Sequence, residues 1–152
     1  MHLKTLLARA EDIWEILNDR IRVRTDMFPN LLETVRMQSG LQEKLVEAIS
    51  ALRQKSWTLD FPTAERVHAE LELSHHLHEI WKMAEGNPQL HNNINFLALK
   101  KDMMDLGNEI ERLSEQYNEK IRHYNKHVGF PLVAQFGTLF RLSRKPIFEF
   151  EV

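Results

Sequence analysis

Cysteine is absent from this 152-residue chain, and glycine and proline are scarce at five each. Without cysteine there is no disulfide, no thiolate metal site and no cysteine nucleophile. The five glycines are scattered, which excludes a glycine-rich phosphate loop, and no Gly-x-Ser-x-Gly elbow is present. Charge of one sign is also lacking. The formal net charge is −2 and basic residues are mixed with acidic ones, so no basic field draws the chain to nucleic acid. No apolar run approaches the ~20 residues needed to span a bilayer. At the N-terminus only Leu6, Leu7 and Ala8 run together before Arg9, and acids follow. The chain as given therefore reads as soluble, with neither signal peptide nor membrane anchor.

What is present is helical periodicity, with few breakers to interrupt it. Ala10, Trp14, Leu17, Ile21, Phe28, Leu31 and Val35 recur at spacings of three and four, with Arg24 standing between Ile21 and Phe28, on one face of a helix that begins near Leu3. The apolar phase continues across Pro29, which predicts a kinked helix rather than a stop, and Gly40 ends it. A second helix is expected from Leu41 to Trp57, with Leu41, Leu45, Ile49 and Leu52 on one side. A third runs from Thr63 to Glu85, with Val67, Leu71, Leu73, Leu77, Ile80 and Trp81 on its apolar side. Gly86, Asn87 and Pro88 form the next break, and Asn92 or Asn93 offers an N-cap. The fourth helix runs to Val128 with a stripe of Phe96, Leu99, Met103, Leu106, Ile110, Leu113, Tyr117 and Tyr124. Gly129, Phe130 and Pro131 stop it. Short connections make neighbours antiparallel, so the expected fold is all-α, an up-and-down four-helix bundle over residues 1–131 with long first and last helices. Residues 132–152 form a C-terminal tail expected to pack on the bundle, burying Phe136 and Phe140.

Four side-chain groups invite a functional reading. Glu65-x-x-His68 and Glu72-x-x-His75 have the spacing of di-iron carboxylate bundles, but that chemistry needs such pairs on two helices plus glutamates from two others. Both pairs share one helix, and the first and fourth seams contain no glutamate, so the expected character is a solvated His/Glu face and no cofactor. Arg24 occupies a seam position where the stripe predicts leucine. Either its stem covers the seam while its head reaches water, or it joins a buried polar network with an acid from a facing helix. Tyr117-Asn118 and Tyr124-Asn125 are one heptad apart. The rings continue the stripe, while the amides lie beside it and offer either structural caps or a polar ladder for a partner. Five of the eight phenylalanines fall in the last 23 residues, so the tail is either a flap that closes a groove of its own bundle or an apolar patch for a protein or membrane.

Three blocks in correct order resemble the LemA family of bacterial proteins. They are DMFPNLLETV at Asp26–Val35, which contains Asn30, MAEGNPQLHNNINFLALK at Met83–Lys100, and YNEKIRHYNKHVGFP at Tyr117–Pro131. The closing Phe148-Glu149 also fits. The resemblance implies a helical bundle normally tethered by one N-terminal membrane helix, and it supplies no catalytic residues. The combined expectation is a non-enzymatic interaction or scaffold module with an unidentified protein partner, met at a membrane if the family's tether holds, and with no small-molecule substrate or nucleic acid. Its candidate residues are Arg24, Asn30, Tyr117, Asn118, Tyr124, Asn125, Phe136 and Phe140. Two alternatives stand beside it: a peripheral membrane binder using the Phe-rich tail with Arg141, Arg144 and Lys145, and a metal-carboxylate enzyme.

Overall fold

The structure, a computed structural model, describes residues 2–128. They form α1 (His2–Ser39), α2 (Glu43–Thr58), α3 (Ala64–Glu85), α4 (Pro88–His91) and α5 (Ile94–Val128), with no strand among the described residues. Five helices therefore stand where four were expected. The additional one, α4, is a single turn within the 86–93 break. Asn87 caps it by accepting from the backbone N–H groups of Gln89 at 3.0 Å and Leu90 at 3.3 Å, and Pro88 opens it. Leu90 is fully buried and pins this turn to the core.

The other boundaries follow local chemistry. Gly40 adopts φ 73°, and its N–H donates to the Arg36 carbonyl at 3.1 Å, closing α1. Thr63 Oγ1 accepts from the Arg66 N–H and starts α3; Asn93 Oδ1 accepts from the Phe96 N–H at 2.9 Å and starts α5. Pro29 lies inside α1, which continues through it. Proline has no N–H to give the Thr25 carbonyl one turn back. Arg53 of α2 donates its Nε–H to that carbonyl at 2.9 Å, so the acceptor freed by Pro29 ties α2 to α1.

α1 packs along α5, and α2 packs on α3. Trp14 meets Tyr117 and Arg20 meets Glu109, so α1 and α5 run in opposite directions. Asn18 reaches Arg66 and Arg24 reaches Ser74, so α1 and α3 run the same way. The apolar core is divided in two. One cluster gathers Ala10, Leu17 and Ile21 with Ile110, Leu113, Tyr117 and Ile121. The other gathers Phe28, Leu31 and Val35 with Ile49, Leu73, Ile80, Phe96 and Met103. Between Ile21 and Phe28, α1 places Arg24 and Thr25, both buried.

Two stripes differ from expectation in detail. On α5, Leu99 and Leu106 are half-buried while Gly107 is buried. On α3, Val67, Leu71 and Trp81 are half-buried, and Arg66, Glu70 and Ser74 take inward positions beside Leu73 and Leu77. Among the described residues no helix is long and apolar enough to cross a membrane. The boundary at residues 131–132 and the packing of the tail lie outside the described residues.

Candidate functional site

The inward phase of α3 brings Arg66 and Glu70 into the core, where they meet Arg24 of α1. Glu70 precedes Leu73 by three residues and Leu77 by seven, so it shares their face, and Arg66 sits one turn before it. Glu70 is 0% exposed and Arg24 1%. The Arg24 Nη2 group donates to Glu70 Oε2 at 3.2 Å and to Ser74 Oγ at 3.3 Å. Ser56 of α2 donates its hydroxyl to Glu70 Oε1 and accepts from Arg66 Nε at 3.0 Å. Arg66 also lies 3.8 Å from Glu70 Oε1, donates to the Leu59 carbonyl, and donates to Asn18 Oδ1 at 2.9 Å. One carboxylate thus serves two guanidinium groups. Burial lowers the pKa of Arg24, and the Glu70 charge and hydrogen bond oppose that shift. Burial also lowers Arg66, opposed first by Glu70; nearby Arg22 lowers it further while Asp60 raises it. The layer is a structural tie among α1, α2 and α3, its groups largely occupied with one another.

Asn18 carries this network to the surface. Its Nδ2 donates to Asp60 Oδ1 at 2.9 Å, the same oxygen that Arg22 Nη2 approaches at 2.6 Å. Asp60 belongs to the α2–α3 connection, and its carbonyl accepts from Trp14 Nε1 at 3.3 Å. Those bonds hold the connection over α1 and leave a cleft of about 470 Å³. Its walls are Leu7, Ala10 and Trp14 of α1, Phe61 and Pro62 of the connection, and Tyr117 and Ile121 of α5. The Trp14 and Tyr117 ring centres are 5.8 Å apart at a 52° tilt, and the Arg66 guanidinium lies 5.7 Å from the Trp14 ring centre. Phe61 is 71% exposed despite lining the cleft.

The rim is acidic. Glu11 and Glu15 line it one helical turn apart and are exposed. Among the described residues neither takes part in an ion pair. Like charges at this spacing repel by ~0.2–0.5 kcal/mol. Burial, and secondarily the Glu11 charge, push the Tyr117 phenol up to about 12, so it stays protonated at neutral pH and can donate. The cleft thus combines aromatic faces, an aliphatic floor, one phenol donor and carboxylates. It suits an apolar group bearing a cation.

The sequence-predicted residues divide between these features. Arg24 lies in the buried network, with Glu70 as the acid from a facing helix. Tyr117 is a wall of the cleft. Tyr124 and Asn118 are buried and Asn125 half-buried further along α5, none of them lining the cleft. Asn30 is exposed on α1, its carbonyl accepting from Thr34 Oγ1 at 2.8 Å, apart from either feature. Phe136 and Phe140 lie outside the described residues. Sequence reasoning missed Arg66, Glu70, Ser56, Ser74 and Asn18 in the network, and Glu11, Glu15 and Phe61 at the cleft. Glu70 was detectable from its phase with Leu73 and Leu77. The histidines of α3 form exposed pairs, His68 with Glu72 at 2.8 Å and His75 with Glu79 at 3.1 Å, rather than pairing within Glu65-x-x-His68 or Glu72-x-x-His75. Among the described residues no group of three or more histidines and acids could hold a metal ion.

A model of the LemA family matches residues 13–152, nearly the whole chain, and includes α1 from Ile13 onward with every later helix. No curated protein matches it. The chain belongs to the LemA family.

Proposed function

We propose that this LemA family protein is a non-enzymatic interaction module, and that its recognition surface is the Trp14–Tyr117 cleft. In this reading the four long helices form one antiparallel up-and-down bundle. The opposed directions of α1 and α5, and the common direction of α1 and α3, support that arrangement. The observation that carries the functional reading is the cleft itself: aromatic and aliphatic walls beside two carboxylates that have no ion-pair partner among the described residues. Its lining groups suit binding. Among the described residues they are aromatic and aliphatic side chains with carboxylates, an asparagine, a threonine and a protonated phenol. The partner is a protein segment that presents an aromatic or aliphatic side chain next to a lysine or arginine.

Site-specific photo-crosslinking in cells tests this. A photoreactive amino acid at Glu15 is expected to give a discrete protein adduct that is lost with Glu11→Lys. The same residue at Lys101, exposed near the other end of α5, is expected to give none. Identical adducts at both positions, or none at position 15, would remove the cleft from consideration.

A further inference from the structure

We infer that the first ligand of the cleft is the chain's own C-terminal segment, residues 130–145, which competes with any partner for the same surface. This rests on reading the cleft as a recognition surface and names its occupant.

Three observations converge. The first is position. Tyr117 and Ile121 line the cleft, and α5 ends at Val128. Seven residues of helix at ~1.5 Å each place that end about 10 Å beyond Ile121. An extended chain covers at most ~3.3–3.6 Å per residue, so thirteen residues from Val128 to Arg141 reach well across the cleft. The second is charge. Between Gly129 and Phe148 the only charged residues are Arg141, Arg144 and Lys145. They complement Glu11 and Glu15, which lack a cation among the described residues. The third is composition. Phe130, Phe136 and Phe140 precede those cations and match the aromatic walls.

Other exposed apolar side chains fit less well. Ile94, Leu97 and Met104 lie toward the opposite end of α5. Ile94 is separated from Val128 by about 50 Å of helix. Lys100 and Lys101 lie among them beside Asp102 and Asp105, with Lys101 paired to Asp105 at 2.9 Å, so among the described residues that end offers no unpaired acidic rim like that of Glu11 and Glu15. The cleft is therefore the apolar surface that combines proximity with the opposite charge. Occupied in cis, it would admit a partner only when the partner outcompetes a tethered segment at high effective concentration.

The absence of cysteine makes the test direct, because two introduced thiols are unique in the full-length chain. Ile16→Cys is exposed beside the rim, and Ser143→Cys lies between Arg141 and Arg144. A short bismaleimide is expected to join this pair within one molecule at least about tenfold faster than the control pair Lys101→Cys with Ser143→Cys. Arg141→Glu with Arg144→Glu, which alters no residue of α1–α5, is expected to slow the reaction about twofold to fivefold for each reversed charge. Circular dichroism of every variant checks that helix content is retained. Equal rates for the two pairs overturn the inference. So do covalent dimers in place of monomeric product, which would assign the cleft to a second copy, and charge reversal without effect. The outcome is separable from the partner reading. Intramolecular joining can persist when photo-crosslinking at position 15 yields no partner adduct, and the reverse also holds.

Discussion

Replacing Glu70 by glutamine keeps the shape of the side chain and an oxygen for Ser56 while removing the carboxylate that Arg24 and Arg66 share. Both cations then lose the carboxylate they share, and Arg66 keeps only the weaker influence of Asp60. Breaking a buried pair in this way costs about 3–5 kcal/mol, because desolvation of the remaining charge is no longer offset. That is a large part of the ~5–15 kcal/mol typical of a whole domain. With a urea slope of roughly 2 kcal/mol per molar, the unfolding midpoint should fall by about 1.5–2.5 M, read from helical circular dichroism. The two-to-one ratio of cations to carboxylate adds a sharper test. Arg24→Met removes a cation whose pKa burial already lowers, and it leaves Glu70 with Arg66 and Ser56. Its cost should be about 1 kcal/mol or less, since methionine fills the volume and no charge is orphaned. The reasoning fails if Arg24→Met costs as much as Glu70→Gln, or if Glu70→Gln moves the midpoint by less than about 0.5 M.

Two further outcomes follow from the site and from α1. In a Tyr124→Phe background the phenolate absorbance of Tyr117 should titrate near 12, and Glu11→Gln should lower that value only modestly because burial is the larger cause. A raised phenol pKa contributes stability that is fully present below pH about 10 and is lost as pH rises toward 12, roughly 2–3 kcal/mol here; titration of Tyr117 near 10 would refute its burial in the cleft wall. Arg53→Met should destabilise by about 1.5–3 kcal/mol, the range for a hydrogen bond from a charged donor. The loss should shrink in a Pro29→Ala background, where the restored N–H can serve the Thr25 carbonyl. A double-mutant cycle with equal losses in both backgrounds would show that Pro29 and Arg53 are uncoupled.

Much of the fold was legible because helical signals are local. The N-cap within the Asn92–Asn93 pair, which the structure places at Asn93, the stop at Gly40 and the inward phase of Phe96, Met103, Ile110 and Tyr117 all follow from residues within a turn of one another. The one-turn α4 was hidden because Asn87, Pro88 and Asn92 mark a break whether or not a turn of helix lies inside it. Arg24 stood out because it interrupts an apolar stripe. Its partners did not, because Arg66 and Glu70 stand on a helix rich in charged residues and read as solvent-facing by composition. Their burial depends on Ser56 and Leu59, which arrive from α2 and the connection after it. The cleft was less legible still. Its aromatic pair joins Trp14 and Tyr117 across most of the chain, and its outer wall depends on how Asn18 and Arg22 hold Asp60.

Apolar clusters alone are poor at fixing the sliding of one helix along another, since Leu73 and Leu77 are nearly interchangeable at a displacement of one turn, about 5.4 Å. The charged layer between the two clusters is not so tolerant. If α3 slipped one turn in one direction, Arg66 would stand where Glu70 now meets Arg24, and two cations would face each other. Slippage the other way would offer Arg24 the hydroxyl of Ser74 and no carboxylate. The first shift would also carry Glu70 into the place of Ser74 and away from Ser56, and the second would take the carboxylate from Arg24, each at a cost of several kcal/mol. The layer therefore works as a lock on register. Because the same Arg66 holds Asn18 and the Leu59 carbonyl, locking α3 also fixes where Asp60 and Phe61 stand above Trp14.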